Sequence, residues 1–218
     1  MSQISNEPEL EAEEPTDAED APAASSLPEP SSSEPSTPEP SSPASPLVLM
    51  GHPVLRSVAE AVDLTEPDLG ALGHRMIEIM HEAYGVGLAA PQIGLAKRII
   101  VYEVPPARLS DEEEKAPISP RVLINPVIEP VGEAMVDGLE GCLSIPGLRG
   151  IVPRHSAVWY RGLDPDGKLI EGLAEGFHAR VLQHEVDHLD GVLFLDRMKS
   201  MRQLAFDQEA HHLDDMIG

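Results

Sequence analysis

The chain has 218 residues, and its 38 acidic residues against 15 basic ones give a formal net charge of −23. A chain this acidic repels nucleic-acid backbones and anionic membranes, so we expect neither direct DNA binding nor association with a membrane. No segment reaches the roughly twenty consecutive apolar residues that a membrane span requires. The single cysteine, Cys142, excludes an internal disulfide.

Residues 1–46 differ in composition from the rest of the chain. They include eleven acidic residues but no Lys, Arg, Phe, Trp or Tyr. Such a segment buries too little apolar surface to offset the entropy of ordering it, so we predict a disordered acidic tail over 1–46 and one folded domain over 47–218. The tail resembles neither a signal peptide nor a basic transit peptide, which indicates a bacterial cytoplasmic protein.

The first regular element predicted in the domain is an amphipathic helix over residues 68–84, where apolar residues recur every three or four positions. Thr65 and Asp68 are placed like a capping box at its start, and Gly85 like a terminator at its end. Segments rich in Val and Ile, or adjoining turn residues, predict strands over 98–104, 121–128, 156–160 and 169–173.

Residues 105–120 carry an acidic run between prolines and are predicted to form an exposed loop. A second helix is predicted over 177–189, and a polar third one over 198–216. Helices grouped with largely antiparallel strands indicate an α+β domain. We expect small mixed or antiparallel sheets packed around the helix over 177–189.

This second predicted helix contains the pattern His-Glu-x-x-His, formed by His184, Glu185 and His188. A spacing of four residues places both imidazoles on one helix face, where they can hold one metal ion, and an adjacent carboxylate can take a proton from water. Two exposed histidines with an incidental glutamate would give the same pattern. The motif alone therefore leaves both interpretations open.

A hydrolytic metal site with an open position needs a third protein ligand. One candidate is Glu209 on the possible third helix, as in some metal-dependent endopeptidases. The other is Cys142, whose thiolate is a strong soft ligand, although a lone intracellular cysteine is more often a small buried apolar residue. The residues by themselves leave this choice open.

Three segments occur together in this chain. They read Gly-Val-Gly-Leu-Ala-Ala-Pro-Gln over 85–92, Glu-Gly-Cys-Leu-Ser over 140–144 and Gln-His-Glu-Val-Asp-His over 183–188. With them the chain resembles the peptide deformylases, which remove the formyl group from the initiator methionine of new polypeptides. The resemblance extends over about residues 47–195 and implies that the domain over 47–218 is the catalytic one.

The resemblance implies roles for particular residues of these segments. Cys142, His184 and His188 would bind one divalent ion, with Fe(II) expected and Zn(II), Ni(II) or Co(II) as alternatives. Glu185 would be the base. The side-chain amide of Gln92 and the backbone N–H of Leu143 would stabilise the oxyanion of the tetrahedral intermediate.

The substrate implied by the resemblance is a nascent N-formylmethionyl peptide, met during transient association with the ribosome. Gly85 and Gly87 allow close approach of another chain, so the peptide could pair with this strand. The methionine pocket of the family corresponds here to Val86, Phe177 and Val181.

Departures from the family pattern concern the shape of this pocket. Leu139 stands where similar sequences often have Trp, Arg180 stands where many have an aliphatic residue, and the loop over 105–120 is long.

Two rival functions are a metal-dependent endopeptidase with Glu209 as the third ligand, and an inactive metal-binding scaffold on the ribosome. Glu185 argues against the scaffold, since a structural site needs no base.

Overall fold

The computed structural model describes residues 46–109 and 116–217. These residues belong to one compact unit with bounds Pro43–Gly218. The predicted disordered tail over 1–46 lies outside the described residues except for its last position. Among the described residues, no helix is both long and apolar enough to cross a membrane.

Helix α1 spans Leu69–Glu82, within the predicted range of 68–84. Its apolar stripe buries Met76, Ile79 and Met80 against the sheet. The predicted capping box is wrong, because Asp68 has a left-handed backbone and its side chain makes no capping hydrogen bond. The N–H and hydroxyl of Thr65 bond instead to the carboxylate of Asp63, in a local turn before the helix.

The end of α1 differs in detail from the predicted glycine terminator. Tyr84 takes the left-handed position with φ of 56°. The Tyr84 N–H donates to the carbonyl of His81 and the Gly85 N–H to that of Met80, at 3.0 and 2.8 Å. This is the hydrogen-bond pattern of a Schellman motif, with a tyrosine where glycine is usual.

Five strands form the larger sheet, and every pair of neighbours is antiparallel. In spatial order they are β1 (Gly87–Ala89), β2 (Ile99–Val104), β3 (Ile118–Pro130), β6 (Ala157–Leu163) and β7 (Leu169–Glu175). The four predicted strands are all present, and each predicted range overlaps one strand of this sheet within one residue at its start or lies inside it. The predicted loop over 105–120 extends too far at its C-terminal end, because β3 already begins at Ile118. Residues 110–115 of this loop lie outside the described part of the chain.

A second sheet has three antiparallel strands in the order β4 (Met135–Cys142), β5 (Ile145–His155) and β8 (Leu204–Phe206). Strand β4 lies at an edge, so β5 alone holds it by strand pairing. The register of this pair shifts between Gly141 and Cys142. Such a shift changes the direction of the side chains that follow it.

Helix α2 spans Gly176–Leu189 and is buried over nearly all of its length after Ala179. Its apolar residues pack against β2, β3 and β6 in one core cluster. The α+β class and the predicted helix at the centre of antiparallel sheets are thus confirmed. A central helix of this kind can hold polar side chains away from water at a fixed position.

The predicted third helix over 198–216 is wrong as an α-helix. A short helix α3 covers Phe194–Arg197, and a single 3-10 turn, strand β8 and a 3-10 segment over Asp207–Met216 follow. Strand β8 pairs with β5, which places Phe206 opposite Leu148. The residues of this long-range pairing lie within the range 198–216, so that range cannot form one continuous helix.

Candidate metal centre and active site

Helix α2 brings His184 and His188 to one face, as their spacing predicts, with ring centroids 5.1 Å apart. Both side chains are buried; His184 is 9% and His188 1% exposed. The interpretation as two exposed surface histidines is therefore excluded. A pair of buried imidazoles on one helix face is suited to bind a single cation.

Cys142 reaches the same point from the end of strand β4. Its Sγ lies 3.2 Å from Nε2 of His188. Ligand atoms of Cys142, His184 and His188 all lie within 4.8 Å of one another. In a tetrahedral site, metal–ligand distances of about 2.0–2.3 Å place the ligand atoms about 3.3–3.6 Å apart, so this donor set fits one divalent ion.

The charges around the three ligands also fit a cation. Burial disfavours a charged ring at His184, but contacts with Cys142 and Glu140 raise its pKa well above the usual value. Burial, together with the charge on His184, lowers the pKa of His188 well below its usual value. Burial thus favours the neutral form of His188, which has a lone pair for a metal, while the surroundings of His184 stabilise positive charge.

Glu140 orients His184 from behind. Its Oε2 lies 2.8 Å from Nδ1 of His184, which leaves Nε2 of that ring for a metal. Arg154 bonds both oxygens of the same carboxylate, at 2.9 and 3.0 Å. Burial disfavours the charged carboxylate, but the hydrogen bonds from His184 and Arg154 hold the pKa of Glu140 well below its usual range.

A second carboxylate on α2 extends this network. Asp187 accepts hydrogen bonds from Arg154 and, at 2.7 Å, from Nη2 of Arg197. Neither Arg154 nor Asp187 was predicted to act at the site, although Asp187 lies in the segment over 183–188 and Arg154 within the range of the resemblance. Their signal in the sequence is weak: Asp187 lies between the two motif histidines, and Arg154 follows the apolar residues Ile151 and Val152.

Glu185 is buried with its Oε2 lacking a hydrogen-bond partner among the described residues. Burial raises the pKa of its carboxyl to about 7. The side chain lies against Gly87, where an added Cβ would come 2.2 Å from Oε1. Gly87 is therefore required to leave room for this carboxylate.

Gln92 lies in a 3-10 turn over Ala90–Ile93 that directly follows β1. Its Oε1 accepts the N–H of Ala89 at 2.8 Å, which turns its amide nitrogen toward Oγ of Ser144 at 3.3 Å and Sγ of Cys142 at 3.5 Å. The amide thus donates toward Cys142, one of the predicted metal ligands. Leu143, the next residue after Cys142, lines the same cleft.

A cleft of about 630 Å³ opens beside these side chains. All the predicted substrate-binding residues line it, namely Gly85, Val86, Gly87, Phe177 and Val181. Leu139 and Arg180, two of the three departures noted from the resemblance, line it as well. The cleft therefore joins the predicted metal ligands to the predicted methionine pocket.

Glu209 does not take part in this site. Its side chain is 63% exposed and lies 3.5 Å from Nε2 of His212. Within residues 46–109 and 116–217, the group of side chains that could hold a metal contains Cys142 in its place. The interpretation as an endopeptidase with Glu209 as a ligand is therefore not favoured.

Comparison with known proteins identifies the family. A sequence model described as polypeptide deformylase matches residues 44–204. Peptide deformylase 2 of Ralstonia nicotianae is 45% identical over 177 residues, which cover 78% of this chain and 98% of the relative. Peptide deformylase 1 of Bordetella pertussis is 48% identical over 162 residues, which cover 73% of this chain and 90% of the relative.

Solved structures agree with this result. A Met-Ala-Ser-bound class I type b peptide deformylase from Acinetobacter baumannii has a TM-score of 0.63 and 36% identity, covering 70% of this chain and 96% of its own. Peptide deformylase from Thermus thermophilus has a TM-score of 0.61 and 44% identity, covering 70% of this chain and 84% of its own.

The fold and the site define a metal-dependent hydrolase. The chain belongs to the polypeptide deformylase family. Its activity is accordingly the removal of the N-formyl group from nascent polypeptides, and an inactive scaffold is not favoured.

Proposed function

We propose that deformylation takes place in this cleft, with Cys142, His184 and His188 holding one divalent ion. The observation that carries the proposal is the convergence of a thiol and two imidazoles from β4 and α2, within 4.8 Å of one another. A bound ion would supply Lewis-acid chemistry, acidifying water and polarising the formyl carbonyl. We propose Fe(II) as the native ion, although Zn(II), Ni(II) and Co(II) also suit these ligands.

Glu185 acts as the general base and acid. It takes a proton from the attacking water and returns it to the amine of methionine as the C–N bond breaks. A carboxyl with a pKa of about 7 can both accept and donate a proton near neutral pH. Its position next to His184, with one oxygen free of protein partners among the described residues, supports this role.

The negative charge that develops on the formyl oxygen is stabilised by two donors. The amide nitrogen of Gln92 is directed toward Cys142 by the bond that Ala89 makes with its oxygen. The backbone N–H of Leu143 is the second donor. Loss of one donor of this kind costs about a hundredfold or more in turnover.

The peptide binds as an added strand. Strand β1 lies at an edge of the five-stranded sheet, so a substrate can pair with residues 85–87 through main-chain hydrogen bonds. The methionine side chain then enters the apolar part of the cleft at Val86, Phe177 and Val181. Pairing through the main chain explains how one site accepts many downstream sequences. The Acinetobacter baumannii relative bound to Met-Ala-Ser supports a peptide in this cleft.

The substrate is a product of translation that still carries its formyl group. We place the reaction in the bacterial cytoplasm, during transient association with the ribosome, because the similar proteins are bacterial and a nascent chain becomes available there. Cosedimentation of the enzyme with ribosomes that carry formylated nascent chains tests this placement. Absence from the ribosomal fraction at low salt would contradict it.

The metal ligands are tested by one pair of variants. Cys142→Ser should lose most of the bound metal and of the formate release, whereas Glu209→Gln should keep both. Elemental analysis and formate release from formyl-Met-Ala-Ser measure the two properties. Metal retained in Cys142→Ser but lost in Glu209→Gln would overturn the ligand assignment.

The experiment that identifies the ion requires protein prepared without oxygen. Metal analysis of that protein should find iron, and reconstitution with Fe(II) should restore formate release. Exposure to air should then reduce activity, because both ferrous iron and a thiolate oxidise. An oxygen-insensitive enzyme that contains only zinc would contradict the proposal of Fe(II).

A further inference from the structure

Arg180 has a largely buried side chain, with 14% exposed. A buried guanidinium must make several hydrogen bonds to offset the loss of its hydration. Arg180 lies on α2, one turn before His184. Its side chain extends from the helix to the three-stranded sheet.

The contacts of Arg180 join three elements. Its Nη1 donates to Oε1 of Glu140 and to the carbonyl of Val152, both at 2.8 Å. Its Nη2 donates to the carbonyl of Val136 at 2.7 Å. Helix α2 is thereby tied to β4 and β5. Because β4 is an edge strand that pairs only with β5, the bond to Val136 gives it a second attachment, to helix α2.

Gly138 provides the space for this arrangement. A Cβ added there would come 2.7 Å from Cζ and Nη2 of Arg180. The guanidinium therefore lies directly on the backbone of β4. A larger residue at 138 would displace the guanidinium from β4. A shorter side chain at 180 would not reach Glu140 and the strand carbonyls.

The tied elements are those that carry the metal ligands. Cys142 lies at the end of β4, while His184 and His188 lie on α2. Glu140 links the two: its Oε1 accepts from Arg154 and Arg180, and its Oε2 from Arg154 and His184. The orientation of the His184 ring thus depends on a carboxylate that Arg180 helps to fix.

We propose that Arg180 is a positioning residue of the metal centre, which clamps the strand carrying Cys142 to the helix carrying both histidines and fixes Glu140 behind His184. The proposal rests on the ligand set of the proposed function. Partners behind metal ligands of this kind typically change metal affinity by about ten- to a hundredfold when they are removed.

The first test is Arg180→Met, loaded with Co(II), whose absorption bands report the ligand geometry. We expect Co(II) to pass to a chelator about tenfold faster than from the unmodified enzyme, with shifted absorption bands. Arg180→Lys should recover part of the loss, because an ammonium group can reach Glu140 but cannot also bond both strand carbonyls. Arg161→Met, on the exposed side of β6, is the control and should behave like the unmodified enzyme.

The outcomes separate this proposal from the proposed function. Unchanged Co(II) release and unchanged bands in Arg180→Met would overturn the positioning role alone. Equal acceleration in Arg161→Met would overturn it too, since the effect would then be general destabilisation. If the unmodified protein bound no Co(II), the proposed ligand set itself would fail. Should Arg180→Met not fold, Gly138→Ala tests the same contact while keeping the arginine, and Co(II) release at the unmodified rate there would overturn the role.

Discussion

At the scale of single residues, Glu185 makes the sharpest chemical prediction. Glu185→Gln keeps the size and polarity of the side chain but cannot accept a proton. We expect the variant to retain its metal and to lose about a hundredfold or more in turnover, the usual contribution of a general base. Metal content and formate release, measured on one preparation, check both parts. Turnover like that of the unmodified enzyme would remove Glu185 from the mechanism.

Tyr84 stores strain at the rim of the cleft. Its φ is 56° and its side chain is 97% exposed, so the ring contributes little packing to offset a left-handed backbone. Glycine adopts this conformation freely, whereas alanine keeps the steric cost of a Cβ. We expect Tyr84→Gly to exceed Tyr84→Ala in free energy of unfolding by about 1 kcal/mol, as measured by chemical denaturation. Equal stability of the two variants would contradict the presence of strain.

At the scale of elements, Asn125 fixes the segment before α1 to the irregular part of β3. It has φ of 51°, and its side-chain amide bonds both the N–H and the carbonyl of Val62, at 2.8 and 2.9 Å. Asn125→Ala should lower the free energy of unfolding by about 2 kcal/mol, because two partly buried backbone groups lose their partners. Asn125→Asp retains the acceptor and should lose less. A denaturation midpoint unchanged in Asn125→Ala would contradict this role.

The sequence predicted the elements whose signals are local. Helices α1 and α2 have strong apolar patterns, and strands β2, β3, β6 and β7 are rich in Val and Ile or border clear turns. The short strand β1 and the three strands of the second sheet were not predicted. The prediction of a C-terminal helix was wrong because the structure of that segment depends on pairing between Phe206 and Leu148, which are distant in sequence. The capping box failed because Asp63 competes for Thr65. A local sequence pattern reveals neither of these interactions.

The site was predictable to the extent that motifs encode it. Its ligand candidates come from spacing and from resemblance, and the structure places them together. The buried network from Glu140 through Arg154 to Asp187 was not predicted, since it joins two sheet strands to the helix. Arg180 was noted only as an unusual residue. Its contacts become visible only when β4 lies beside α2.

At the scale of the whole molecule, we propose that residues 1–46 are an appendage and that residues 47–218 are the catalytic domain. The family match begins at residue 44 and supports this division. Deleting residues 2–46 should leave the melting temperature and formate release nearly unchanged, because a segment without apolar anchors adds little to a fold. A drop of several degrees in melting temperature would show that the tail packs on the domain.

The central claim is that this site hydrolyses formyl groups selectively, and the most direct test compares formyl-Met-Ala-Ser with acetyl-Met-Ala-Ser on one metal-loaded preparation. In the proposed mechanism the carbonyl oxygen would reach the bound ion, Gln92 and the Leu143 N–H together, with the peptide along residues 85–87. With the carbonyl carbon fixed in this way, an acetyl methyl must enter space that a formyl group fills with hydrogen. Overpacking costs about 1–3 kcal/mol, and displacement of the carbonyl adds to it. We predict that kcat/KM falls by at least about a hundredfold for the acetyl peptide, mainly through kcat. Near-equal values would contradict the account.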